Sequence, residues 1–235
     1  MEAAANVLTR SQAKERRASR GARTRQEILA TAVQMASEEG LEDLTIGRLA
    51  DELGMSKSGL FAHFGSKEDL QLATIETARE IFVNEVVRPV QDVERGLPRL
   101  LSMFESWLSY CERVVFRGGC FFAAASAEFD GRPGPVRDRI AELQKAWLDA
   151  FIAEVREAQT LSQLDARMNP EQIAFEVHAY AMETNWAHQL FGDKQAFDRA
   201  RAAIRRCLEG AATPNGRKLL ASAAKTRTKT KSRAK

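Results

Sequence analysis

Residues Thr45 to Phe64, TIGRLADELGMSKSGLFAHF, decide the reading of this chain: two short helices joined by a glycine turn. The Thr45 hydroxyl is placed to cap the first helix, and Ile46, Leu49, Ala50 and Leu53 then share one apolar face. Gly54 supplies the left-handed residue that ends such a helix without a Cβ clash, and Ser56 follows as the next cap. Leu60 and Phe64, four residues apart, turn the second helix inward. Its other face, with Lys57, Ser58, Phe61, Ala62 and His63, is left for a DNA major groove, which admits one helix. An ordinary αα-hairpin in a helical core has the same caps and spacing, so the flanking sequence has to decide.

Upstream, a helix over roughly Arg23 to Glu38 carries Ile28, Leu29, Ala32, Val33 and Ala36 as a stripe and ends at Gly40. Downstream, Ser66 and Asp69 have the capping-box spacing that starts a further helix. The whole run from Ile28 to Thr74, ILATAVQMASEEGLEDLTIGRLADELGMSKSGLFAHFGSKEDLQLAT, about a fifth of the chain, closely resembles the N-terminal DNA-binding domain of TetR-family transcriptional regulators.

The 235 residues have room for such a head and a larger second domain. No apolar run approaches the roughly 18 residues of a membrane span, and the basic N-terminus lacks the apolar core of a secretion signal, so a cytoplasmic protein is expected. Cys111, Cys120 and Cys207 are too scattered for a disulfide framework or a zinc site. The net charge of +3 hides an uneven distribution: residues 1–25 hold 7 Lys/Arg against 2 acids, and residues 213–235 hold 8 against none. Both ends read as basic, disordered arms that attract a polyanion, or that serve only solubility, around an acidic body. The expected organisation is an arm over 1–22, the DNA-binding domain over 23–70, a helical effector and dimerisation domain over 71–211, and a tail over 212–235.

Beyond Thr74, breaks at Pro89, Gly96 to Pro98, Gly118 and Gly119, Gly131 to Pro135, Asn169 and Pro170, and Gly192 delimit roughly six more helices. No convincing strand pattern appears, so the fold class is all-α. Helix four should run from Lys67 to near Val87, helix five over about Pro98 to Arg113, helix six after Gly119 and helix seven from Pro135. Helix eight opens with Asn169 as cap and Pro170 in the first position, and extends to about Phe191. Its apolar residues fall on two lines, Ile173, Val177, Tyr180 and Thr184 along one, Phe175, Ala179, Met182 and Trp186 along the other. A helix apolar on two faces needs two things to pack against. The resemblance implies a four-helix dimer seam from the last two helices, and Ile173, Val177, Tyr180, Phe197, Ile204 and Leu208 are the residues expected there. Two recognition helices would then face half-sites about 34–36 Å apart on a near-palindromic operator in double-stranded DNA.

Carried over by position, Thr45 and Ser56 suit phosphates as well as caps, Lys57 and Ser58 open the recognition helix, and Lys67 opens helix four toward the DNA backbone. His63 occupies the family's common histidine position, or packs against helix one. Phe61 and Ala62 stand where tyrosines are common, which removes two hydroxyls; Phe61 can still meet a thymine methyl. Arg48 is either a DNA contact or a solvated surface residue. The second domain is expected to hold an effector pocket for an apolar or aromatic small molecule, drawn from Phe104, Trp107, Tyr110, Cys111, Phe122, Trp147, Phe151, His178, Met182 and Trp186, with Glu183 or Asn185 as further polar anchors; the same residues also make an ordinary core.

The resemblance implies a dimeric repressor released from DNA when the effector favours another spacing of the two heads. The alternative is a DNA-binding regulator or architectural protein controlled by a protein partner or by oxidation of Cys120, which sits in the segment Arg117 to Phe122 (RGGCFF) near a basic residue; by composition a buried core position beside Phe121 suits this cysteine better. No phosphate loop, nucleophile elbow or zinc-ligand pattern is present, so neither an enzyme nor a cofactor is expected.

Overall fold

The computed structural model describes the backbone of residues 2–233 and the side-chain surroundings of residues 21–223. Among the described residues there are ten α-helices and no strand, only an isolated bridge between Leu164 and Ala212. The fold is all-α.

The head is built from α1 (Glu2–Glu39), α2 (Ile46–Leu53), α3 (Lys57–Phe61) and the start of α4 (Lys67–Phe82). Local signals set its boundaries. Thr45 Oγ1 accepts the amide of Arg48 at 3.2 Å, Ser56 Oγ that of Gly59 at 3.1 Å and Ser66 Oγ that of Asp69 at 3.0 Å. Gly54 closes α2 at φ 61° with its N–H on the carbonyls of Ala50 and Asp51. Ile28, Leu49, Ala50, Leu60, Phe64 and Leu70 meet in the buried interior of the head.

α4 does not end cleanly. It passes into a π-helical turn, Val83–Val87, and a 3-10 turn, Arg88–Val90, so the rod reaches three residues past the expected limit. The second domain follows as α5 (Leu97–Glu112), α6 (Phe121–Phe129), α7 (Pro135–Thr160), α8 (Pro170–Phe191), α9 (Ala196–Ala211) and α10 (Pro214–Arg233). α4 packs against α1 on one side and α7 on the other, α5 and α6 lie on α7, and α8 joins α7 to α9.

Three readings of the sequence change. Residues 2–22, expected as a disordered arm, are helical backbone continuous with α1, in keeping with an Ala- and Arg-rich stretch whose only glycine before Gly40 is Gly21; Met1 falls outside the described residues. The segment 212–235, expected as a disordered tail, begins by docking: Ala212, Gly216 and Leu220 are buried, and α10 packs on α5 and α9, while residues 234–235 lie outside the described chain. Gly216 permits this, because a Cβ there would stand 2.0 Å from the Gln163 carbonyl oxygen.

The third change concerns the dimer seam. Ile173, Val177, Phe197, Ile204 and Leu208 are buried inside their own subunit, where α8 packs on α9 and α7, and α9 also meets α5 and α10, so they are unavailable to a partner; of the expected seam only Tyr180 is exposed. The outward line of α8 is the other one, with Phe175, Trp186, Leu190 and Phe191 each at least half exposed. The two lines are similar in apolar content. The single apolar face of α9 packs on α8, and the line that is buried within the bundle of α5, α7 and α9 carries Ile173, Ala174, Val177 and Ala181.

The head is locked to the second domain at the end of α1. The Glu128 carboxylate of α6 accepts the amides of Leu41 at 2.8 Å and Glu42 at 2.9 Å, and Gln34 of α1 holds the Val115 carbonyl and the Arg117 amide, each at 3.1 Å. Gly118 lies directly on α1, where an added Cβ would be 1.6 Å from the Ser37 carbonyl oxygen. Replacing Gly118 by Ala forces these backbones apart and is expected to cost about 2 kcal/mol or more, in the upper range for overpacking. A lowered thermal midpoint checks it; an unchanged one means that α1 and the Gly118 loop are not in close contact.

Candidate functional site

Two regions of the molecule are shaped for binding, one at each side of α4. At the tip of the head, α3 is only five residues long, because Ser56 starts it and the chain turns at Ala62. Lys57, Ser58, Phe61 and Ala62 are exposed there, with Phe61 at 55 %. Its phenyl ring stands open to water beside the exposed polar side chains of Lys57 and Ser58. Thr45 and Ser56 are engaged as caps. Arg48 donates to the Asp43 carbonyl and pairs with Glu39, and Lys67 Nζ sits 2.8 Å from Glu42 Oε1. Such half-exposed pairs contribute about 0.2–1 kcal/mol, so a phosphate competes with them readily.

His63 lies in the turn after α3, half-buried, and its carbonyl accepts Arg25 Nη1 at 3.1 Å. The Arg25 guanidinium stacks 4.3 Å above the Phe64 ring. The sequence carried no sign of this clamp, since its two halves are 38 residues apart. Arg25, His63 and Phe64 open onto a groove shared with Asp69, Leu72, Glu76 of α4 and Arg139 of α7.

On the other side of α4 lies a cavity of about 520 Å³, within the range that holds small ligands. One wall is α4 and its π turn, through Arg79, Phe82, Val83 and Val87, continued by Val90 and Gln91; the opposite wall is α7, through Leu143, Gln144, Trp147, Ala150 and Glu154. Met103 and Trp107 of α5 and Cys120 and Phe122 of α6 close it. Edge-to-face contacts fix the aromatic wall, with Phe82 and Trp147 centroids 5.0 Å apart and Trp107 and Trp147 at 6.0 Å.

Of the residues expected to line a pocket, Trp107, Phe122 and Trp147 are on this wall. The others lie elsewhere. Phe104 and Phe151 stack on each other at 4.3 Å behind Trp107 and Trp147. Tyr110, fully buried, packs edge-on against Phe82 and Phe116. Cys111 lies behind Cys120, and His178 tilts over Trp107 at 5.2 Å, where burial pulls its pKa down. Met182 is half-buried on α8, and Trp186 points outward against Phe191 at 4.9 Å. Asn185 Oδ1 accepts the Cys120 amide at 2.8 Å, and Glu183 is exposed. Helical spacing put all of these on the apolar side of a helix, but a bundle has several apolar layers and only one borders the cavity.

The cysteines are chemically unlike. Cys120 caps α6 and its thiol is lowered to about 7, first by the hydrogen bond from Cys111, then by the amides of Ala123 and Phe122 and the Trp107 indole, against the opposing effect of burial. The same contact raises Cys111. Cys207, beside Glu176, is pushed up to about 12 by burial and by that carboxylate. Among the described residues no group of three or more His, Cys, Asp and Glu is placed to hold a metal, and no helix is long and apolar enough to cross a membrane.

Two family descriptions match this architecture: bacterial regulatory proteins of the tetR family over residues 28–74, and the tetracyclin repressor-like C-terminal domain over residues 96–204, together more than half of the chain. The chain belongs to the TetR family. Its relatives include the nucleoid occlusion factor SlmA of Aliivibrio fischeri (strain MJ11), 33% identical over 90 residues that cover 38% of this chain and 46% of that protein. This TetR-family chain therefore spans about half the length of that relative. The HTH-type transcriptional repressor BepR of Brucella suis biovar 1 is 26% identical over 161 residues, covering 65% of this chain and 74% of BepR. A TetR transcriptional regulator from Chloroflexus aurantiacus has the same fold, with a TM-score of 0.73 at 19% identity over 79% of this chain and 94% of that one.

The thiol chemistry of this TetR-family chain is directly measurable. In brief labelling of the folded protein with iodoacetamide, followed by mass spectrometry, Cys120 is expected to react ahead of Cys111, because the hydrogen bond between them favours the Cys120 thiolate, and both more slowly than in the unfolded chain because both are buried. Faster labelling of Cys111 would show that access outweighs thiolate formation.

Proposed function

We propose that this protein is a dimeric transcriptional repressor that holds a near-palindromic operator and releases it when an apolar small molecule occupies the cavity. One observation carries the reading: α4 is at once a wall of the cavity and the helix on which the head is mounted, being packed on both α1 and α7. A ligand that prefers one spacing of α4 and α7 thereby prefers one position of the head, and this differential affinity is what lowers DNA binding. The repressor name of BepR, which shares more than half of this chain's length, supports the direction of control.

In this reading Lys57, Ser58 and Phe61 face the major groove, with Thr45, Arg48, Ser56, His63 and Lys67 toward phosphates. The dimer forms on the outward side of α8, where Phe175, Trp186 and Leu190 lie along one exposed line, Phe191 packs on Trp186 at the helix end and Tyr180 is exposed at the margin, an apolar surface of the kind that marks an interface.

Purified protein titrated with DNA from upstream of its own gene and with shuffled DNA, at several salt concentrations, tests the whole proposal. Specific binding at a palindrome that persists as salt rises is the expected result; binding that ignores sequence and vanishes with salt would leave only electrostatic adhesion. The double substitution of Phe175 and Leu190 by Glu is expected to give a folded monomer in sedimentation and to reduce operator affinity by about a hundredfold or more, since each half-site is then bound alone. A variant that stays dimeric would place the seam elsewhere.

A further inference from the structure

The charges on the cavity wall are unequally spent. At one end, Arg99 donates through Nε and Nη2 to the Val93 carbonyl and through Nη2 to the Gln91 carbonyl, and its Nη1 stands 3.8 Å from Glu154. Glu154 in turn accepts the Gly96 amide at 2.8 Å and Arg95 Nε at 3.1 Å. That end is compensated within the protein.

At the other end stands Arg79. Its Nε donates to Glu76 Oε2 at 2.8 Å, which uses one of the five N–H donors of a guanidinium. Glu76 is shared, because its other oxygen accepts Arg139 Nε of α7 at 2.6 Å, and it faces the groove beneath the head while Arg79 faces the cavity. Between the two arginines the lining is apolar, from Phe82, Val83 and Val87 to Trp147 and Ala150. The α7 wall runs from Leu143 to Glu154, about 16 Å at the rise of an α-helix, so the space is elongated.

From this placement we infer that the cavity takes an elongated apolar carboxylate whose charged end is received by Arg79 in competition with Glu76. The inference rests on the effector reading above and names its ligand class. Two guanidiniums and one already paired carboxylate on the wall disfavour a cation, and the long apolar middle matches a hydrocarbon body. The competition also supplies a route to the head: a carboxylate on Arg79 loosens its hold on Glu76, and Glu76 links α4 to α7 beside Arg25, His63 and Phe64.

The probes are decanoate, 1-decanol and decylamine, titrated below their aggregation concentrations into the full-length protein by calorimetry, with operator release scored in the same samples. Decanoate is expected to bind at least about tenfold more tightly than either of the others. Arg79→Gln should remove that preference and leave decanol binding within about twofold, while Arg79→Lys keeps part of it. The melting curve of each variant confirms that it is folded. Equal or tighter binding of decanol or decylamine, a preference that survives Arg79→Gln, or failure of all three to bind would each overturn the ligand class. The two readings separate in the release assay. Preferential decanoate binding that leaves the operator bound sinks the effector reading and keeps the ligand class; release by decanol as readily as by decanoate does the reverse.

Discussion

The carboxylate of Glu128 is the contact on which the arrangement of the head depends. α1 ends at Gly40, in a left-handed conformation at φ 98°, and the next two amides have no helical partner. A buried amide without an acceptor is costly, and one carboxylate from α6 satisfies both with charge-assisted bonds. The same turn is held from a second side by Gln71 of α4, whose Nε2 donates to the Leu41 carbonyl at 2.9 Å, and Lys67 pairs with Glu42 beside it. The turn between α1 and α2 is therefore shared by both domains. A shift of α6 or α4 is transmitted to the head because the amides cannot give up their acceptor without penalty.

α4 then sets what such a shift can do. Its π turn at Val83–Val87 adds a residue to the helical register where the rod passes from the head to the cavity wall. Turns of this kind are less stable than α-helix and recur at functional sites, since they persist where side-chain packing holds them. Here Phe82, Val83 and Val87 border the cavity while Val86 is buried against the core, so the bulge turns three apolar side chains toward the space and keeps one in the interior. The space thus borders the least regular part of the rod, and the regular turns before it carry the head.

The sequence shows clearly whatever short-range chemistry determines. Thr45, Gly54, Ser56, Ser66 and Asn169 each occupy the cap or turn position that their side chain or lack of one predicts, because capping involves partners two to four residues away. The pocket was legible only in part. Trp107, Phe122 and Trp147 line it, while Phe104, Phe151 and Tyr110 lie one layer deeper, and apolar periodicity cannot tell one buried layer from another. Arg79 and Arg99 escaped notice because a charged residue on an amphipathic helix reads as solvated surface. Glu76, Glu128 and Arg25 act through partners 38 to 87 residues away, with no local signature at all.

The two faces of α8 show why this kind of ambiguity needs the third dimension. Both lines of the helix are rich in apolar residues, so each is an acceptable core face by that measure. α9 breaks the tie. It offers one apolar stripe, Phe197, Ala200, Ile204 and Leu208, and its opposite face carries Asp198, Arg199 and Glu209; Arg201 at the edge of the stripe pairs with Glu105 and Glu112 of α5. With a single stripe and that ionic anchor to α5, α9 packs inward on α8, and Ile173, Ala174, Val177 and Ala181 of α8 are buried within the bundle that α9, α7 and α5 form around it. The bulkier line, with Phe175, Trp186, Leu190 and Phe191, is left for another surface. Phe175, Trp186 and Leu190 lie along one side of α8, and Phe191 packs on Trp186 at its end. The core of the subunit and the exposed apolar side of α8 are thus two outcomes of one packing choice, made by the helix that has only one side to offer.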